Sequence, residues 1–192
     1  MIPAATLFDP MPIKAIGATL RAARFEPAPD VPARGVCVLL NGQTEFIEKY
    51  FEVIDELRGR GFAVATMDWR GQGGSTRMTE DSRKSFVGDF HEYDQDLDTL
   101  MHWIVQPMLA QGEKPVALAH SMGAHNLLRL LARRPASFAA AVLRMTAAMR
   151  SPSTHCCDQS MRCFSTSSRT ISLRWKLVDC GSTTAIRAMR AT

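Results

Sequence analysis

A chain of 192 residues, 46% hydrophobic and 22% charged, has the composition of an ordinary globular protein and enough apolar mass for one substantial core, so disorder is excluded as the default. The net charge is +4, but the excess sits in residues 149–192, where seven Arg and Lys face two acids; residues 1–148 carry sixteen against seventeen. A nearly neutral body offers no basic face, and no nucleic-acid partner is expected.

The N-terminal stretch MIPAATLFDPMPIK is broken by prolines and an acid and fails as a secretory signal. No run approaches the length of a membrane span, so a cytoplasmic protein with at most peripheral membrane contact is expected. Residues 13–25 read as a hairpin around Gly17, followed by a Pro-rich connector. From Gly35 the chain alternates strand and helix, the rhythm of parallel strands joined by crossover helices. GVCVLL (35–40) is a buried strand, and residues 46–60 form an amphipathic helix with Ile47, Tyr50, Phe51, Ile54 and Leu57 at helical spacing. FAVATM (62–67) is the next strand, and a glycine-rich segment runs from Asp68 to Gly88. Asp89 can cap a third helix that carries Leu97, Leu100, Met101, Ile104 and Val105 and ends near Pro107. Residues 115–120 form a strand, 123–134 a helix stopped by Pro135, and 138–143 one more strand.

After about residue 148 the character changes. Ser, Thr, Arg and Cys crowd the segment, no apolar period persists, and only residues 171–178 suggest a short element. The domain reading is a core over 1–148 and an atypical, poorly ordered tail over 149–192, with the composition of a GC-rich gene read out of frame. Four of the five cysteines lie in this tail with no ligand spacing, so no metal site is expected; Cys37 alternates with Val36 and Val38 and reads as a small core residue.

VALAHSMGAHN (116–126) reads as a strand delivering Ser121 to a sharp turn that opens into a helix, with Gly123 and Ala124 leaving room for backbone to cross backbone. Acyl transfer by serine needs an exposed hydroxyl, a base, an orienting acid and two backbone donors aimed at the oxyanion. Ser121 is the candidate nucleophile, and the Met122 N–H at the start of the helix is the first candidate donor. The second is the Gln43 N–H, in the loop NGQTE after the first buried strand. His120, His125, His91 and His102 read as packing or surface residues, and Glu92, Asp94, Asp96 and Asp98 as a solvated helix face. GQGG (71–74) lacks the following Lys-Ser or Lys-Thr of a nucleotide loop.

Three stretches, LLNGQTEFIEKYFEVIDELRGRGFAV, MDWRGQGGSTR and LAHSMGAHNLLRLL, resemble the α/β-hydrolase superfamily, in its lysophospholipase and monoacylglycerol lipase-like branch of serine aminopeptidase-type hydrolases. The resemblance covers residues 35 to about 145. It implies an α/β-hydrolase fold with a mostly parallel sheet, N-terminal half only, its C-terminal strands and lid missing or replaced. It implies an ester hydrolase working through an acyl-enzyme on Ser121, a small lipid or ester substrate, and no cofactor. In that family Asn41-Gly42-Gln43 matches the His-Gly oxyanion loop, Glu45 an acid that follows it, and Ala119 the first glycine of Gly-x-Ser-x-Gly. The family order is Ser, then Asp or Glu, then His. Behind Ser121 stand His125, His155, Asp158 and Asp179, with no histidine after either acid. The sequence therefore leaves three readings: an impaired ester hydrolase, a non-catalytic remnant, or another acyl hydrolase or peptidase on the same scaffold.

Overall fold

A one-turn helix, Ala4–Leu7 (α1), and a hairpin of Met11–Ala15 (β1) and Ala18–Phe25 (β2) open the chain in a computed structural model that describes residues 2–81, 83–144, 175–180 and 183–188. The hairpin turns at Gly17, whose φ of +74° a residue with a Cβ adopts only at a cost. Gly35–Leu40 (β3) leads through a 3₁₀ turn at Ile47–Tyr50 into Phe51–Gly59 (α2), and Phe62–Met67 (β4) follows. The expected helix over 46–60 is thus split, its first turn wound tighter.

Phe90–Leu100 (α3) starts on a capping box in which Asp89 accepts the His91 N–H and Glu92 reaches back, satisfying the first free amides of the helix. It continues as a π-helical turn over Met101–Val105 and ends in Gln106–Met108 (α4), where Pro107 marks the expected stop. Val116–His120 (β5), Met122–Arg133 (α5) and Ala140–Arg144 (β6) complete the part that the apolar pattern specifies.

Eight strands form one sheet in the order β1-β2-β4-β3-β5-β6 and then two strands from beyond residue 170, Thr183–Ala188 (β8) and Trp175–Cys180 (β7). The central four, β4, β3, β5 and β6, are parallel; β2 joins β4, and β8 joins β6, antiparallel. The sequence suggested a short element within 171–178; the structure has β7 there and adds β8 after it. The remainder of the 149–192 tail, with His155 and Asp158, lies outside the described residues.

One face of the sheet is covered by α2 and the 3₁₀ turn before it, through Ile54 and Ile47 against Leu39, Val64 and Phe25. The other is covered by α3 and α5, through Leu97, Leu100, Leu127 and Leu130 against Val38, Leu40 and Ala119. Continuous apolar runs in β3 and β4 follow from burial on both faces. Because β3 has β4 on one side and β5 on the other, the chain reverses its direction of travel across the sheet there. That topology leaves a crevice at the C-terminal ends of β3 and β5, where open α/β sheets bind their ligands. The register Leu40↔Ala119 and Ala119↔Leu143 brings the loop after β3 and the turn after β5 side by side at that edge.

Candidate active site

Ser121 sits between β5 and α5 with φ 50° and ψ −116°. A residue with a side chain holds such a conformation at a cost of about 1–3 kcal/mol, and only where its surroundings impose it. Two contacts impose it here. The Ser121 N–H donates to the Arg144 carbonyl at 2.8 Å, continuing the β5–β6 ladder into the turn. Immediately after, α5 passes so close to the end of β3 that a Cβ on Gly123 would stand 2.5 Å from the Asn41 oxygen and 2.6 Å from the Leu40 oxygen. Met122 is the first residue of α5, where the backbone N–H has no partner within the helix.

The loop after β3 meets this turn directly: a Cβ on Gly42 would lie 3.2 Å from Ser121 Cβ. Asn41 is buried, its carbonyl accepts the Trp69 indole N–H at 3.0 Å, and neither polar atom of its side chain is hydrogen bonded. Gln43 is exposed at the tip, and Thr44 turns the chain with φ 59°. The Thr44 N–H donates to the Gln72 side chain, which tethers the loop to the segment after β4. Ser121, Met122 and the Asn41–Thr44 loop therefore occupy one end of the sheet.

Beside them Glu45, Tyr50 and His120 form a polar cluster that the sequence did not reveal. Glu45 Oε2 accepts the Gly42 N–H at 2.7 Å and the Tyr50 hydroxyl at 2.6 Å, and lies 2.9 Å from His120 Nδ1. Burial pushes the Glu45 carboxyl upward, but these hydrogen bonds outweigh it and hold the group down at about 2. The Tyr50 hydroxyl is pushed up, by burial first and then by the carboxylate beside it. The sequence pattern places Tyr50 in the apolar stripe of the helix and reads His120 as packing; the structure sets both against Glu45 instead. No local signal joins the three, since Glu45 lies in the loop after β3, Tyr50 ends the 3₁₀ turn and His120 ends β5. A cavity of about 330 Å³ opens beside the cluster over Leu39, Leu118 and Val53.

The segment after β4 supports the loop from below. Asp68 is fully buried; its Oδ1 accepts the Ile47 N–H at 2.9 Å, and its Oδ2 accepts the Gly74 N–H at 2.8 Å and Arg21 Nε at 2.6 Å. Arg21 also forks onto both oxygens of Glu48. Two members of the supposed solvated acidic face require correction. Asp96 is buried in a paired arrangement with Arg70, and Asp94 is buried against Arg129 and Arg133, because α3 turns those positions toward neighbouring cations rather than water. Elsewhere His91 is 3.5 Å from Asp94, His102 meets Trp103 edge-on, and His125 is buried edge-on to Phe90, which lowers its pKa through burial. Cys37 is buried and its thiol is pushed up to about 12 by that burial. Among the described residues no group of three or more His, Cys, Asp or Glu could hold a metal ion, and no helix is long and apolar enough to cross a membrane.

Residues 31–189 match the Hydrolase_4 family, described as serine aminopeptidase, S33. The chain belongs to this family. Within its lysophospholipase and monoglyceride lipase-like branch, this Hydrolase_4 chain is 34% identical over 123 residues to Lysophospholipase L2 of Escherichia coli K12, a match covering 59% of the chain and 36% of that protein. It is 30% identical over 119 residues to a monoacylglycerol lipase of Mycolicibacterium smegmatis, covering 60% of the chain and 39% of that protein. The matched region thus spans little more than a third of the length of these relatives. Among solved structures, a soluble variant of monoglyceride lipase from Saccharomyces cerevisiae aligns with a TM-score of 0.60 at 21% identity, over 73% of this chain and 44% of that one. A carboxyl esterase from Bacillus coagulans aligns with a TM-score of 0.59 at 19% identity, over 70% and 43%. These likenesses establish the α/β-hydrolase fold of the Hydrolase_4 chain.

Proposed function

We propose that the chain carries the nucleophile and oxyanion half of a serine ester hydrolase, with Ser121 forming an acyl-enzyme and the N–H groups of Met122 and Gln43 receiving the oxyanion. The observation that carries the reading is the strained Ser121 turn packed against the Gly42 loop. A strained conformation retained beside a second loop of backbone donors is what acyl transfer requires and what packing alone does not. A small lipid or other ester is favoured over an amide because the more similar relatives are a lysophospholipase and a monoacylglycerol lipase.

Within these 192 residues no histidine follows Asp158 or Asp179, so the polypeptide alone has no base and acid in the order that the family uses. Removal of a triad member leaves only about 10³ to 10⁴ of rate enhancement over water. The expected behaviour is slow fluorophosphonate labelling that depends on Ser121, with p-nitrophenyl ester turnover within a few fold of Ser121→Ala. Labelling unaffected by Ser121→Ala overturns the nucleophile assignment. Ser121-dependent turnover of about 1 s⁻¹ or more, in the ordinary enzyme range, overturns the impairment.

A further inference from the structure

A loop acid needs one hydrogen bond to close its turn; Glu45 receives two on a single oxygen, from Gly42 and Tyr50, and that oxygen also lies 2.9 Å from His120 Nδ1, while Glu45 Oε1 lies 3.3 Å from Lys49. The proton count around that oxygen is restrictive. A carboxylate only accepts, so the single Tyr50 hydroxyl proton, directed at Glu45, is not available to His120. Yet the Tyr50 oxygen also lies 3.2 Å from His120 Nδ1. Both contacts to Nδ1 are satisfied only if that nitrogen carries a proton, which leaves Nε2 the acceptor of the neutral ring.

The two proposed oxyanion donors come from different loops, Gln43 after β3 and Met122 at the start of α5. The close contacts between those loops, Gly42 against Ser121 and Gly123 against Leu40 and Asn41, are steric and resist approach. They do not resist separation. Gln72 ties Thr44 toward Met122, but its amide nitrogen is 4.0 Å from the Met122 sulfur, a weak tie. The charge-assisted link Gly42 to Glu45 to His120 is the strong one, and His120 is bonded through the backbone to Ser121 itself.

We propose that Glu45 is a positioning residue that fastens the Asn41–Thr44 loop to the Ser121 turn through His120, and that it fixes the His120 ring in its Nδ1–H form. The catalytic consequence rests on the serine hydrolase reading above; the tautomer does not. A misplacement of about 1 Å in such a donor is enough to cost on the order of 10²-fold in rate.

The test uses the full chain labelled with ¹⁵N, with His120 assigned by its loss in His120→Asn. Long-range ¹H–¹⁵N spectra of the imidazole at neutral pH are expected to show Nδ1–H in the parent chain and a shift toward Nε2–H in Glu45→Ala, with displaced Gly42 and Gln43 amide resonances. Glu45→Gln, of the same shape, serves if the alanine variant fails to fold. In parallel, phenylboronic acid, whose boron accepts the Ser121 Oγ electron pair as the hydroxyl proton passes to solvent water, giving a tetrahedral anion that mimics the oxyanion adduct, is expected to bind at least tenfold more weakly to Glu45→Ala, with Glu45→Gln intermediate. A parent His120 in the Nε2–H form, or a tautomer indifferent to both Glu45 variants, overturns the proposal. So does a lowered melting temperature with unchanged tautomer and boronate affinity, since that is a structural role only. Boronate binding that is equal in Ser121→Ala refutes the nucleophile assignment instead, and the tautomer then decides the Glu45 role alone.

Discussion

Gly123→Ala tests whether the approach of α5 to the end of β3 shapes the Ser121 turn. Helix propensity taken alone favours the substitution by about 1 kcal/mol, since glycine is the poorer helix former. Packing opposes it. The added methyl carbon would sit 2.5 Å from the Asn41 oxygen, 2.6 Å from the Leu40 oxygen and 2.9 Å from the Leu40 carbonyl carbon. All three are backbone atoms at the end of a central strand bonded on both sides, to β4 and to β5, so no side chain can swing aside. Relief demands that the first turn of α5 move outward by several tenths of an ångström, against the Ser121 N–H bond to Arg144. Overpacking of this kind costs about 1–3 kcal/mol and more where backbone must move. Deducting the propensity gain of about 1 kcal/mol from a cost at the upper end of that range leaves a net loss of about 2 kcal/mol, measured by urea unfolding at neutral pH as a lower midpoint with an unchanged slope. A variant as stable as the parent, or more stable, would mean that propensity wins and that the α5–β3 contact does not shape the turn.

Ser121→Gly should be more stable than Ser121→Ala by about 1 kcal/mol, because glycine relieves the strain at φ 50° while losing part of that gain to its greater unfolded-state freedom; equal unfolding midpoints would show that the turn is unstrained. Glu45 titrates at about 2 rather than 4.5, so its contribution is fully present above about pH 4.5 and is lost as pH falls toward 2. Partial exposure screens it, and a stability gap of about 1–2 kcal/mol between the parent and Glu45→Gln at pH 7 should narrow over that window; a gap independent of pH would refute the assignment.

The strands were legible because β3 and β4 are continuous apolar runs and their parallel pairing demands burial on both faces. The turn at Ser121 was legible for a different reason: a small residue must follow it where two backbones cross, and Gly123 announces that. Long-range polar pairing left no such trace. Glu45 and His120 are 75 positions apart, and nothing in either local pattern says that adjacency of β3 and β5 will bring them together. Asp94 and Asp96 misled in the same way, since charge on a helix reads as solvation until the partners Arg70, Arg129 and Arg133 arrive from other elements. Pairing of β8 with β6 was likewise invisible, because residues 183–188 carry no apolar period strong enough to mark a strand.

Asp68 holds Ile47, Gly74 and Arg21 at once, three segments that meet at no other carboxylate among the described residues. Burying it pushes its carboxyl upward despite the neighbouring arginine, and a buried ion pair of this type adds little to net stability compared with apolar packing. Its consequence lies in degeneracy rather than strength. The long polar segment after β4 and the short loop after β3 could each adopt many arrangements of similar energy; one carboxylate with fixed acceptor directions leaves a single arrangement in which all three donors are satisfied. The end of the sheet that bears Ser121 is thereby joined to the segment after β4 and to β2 through one carboxylate.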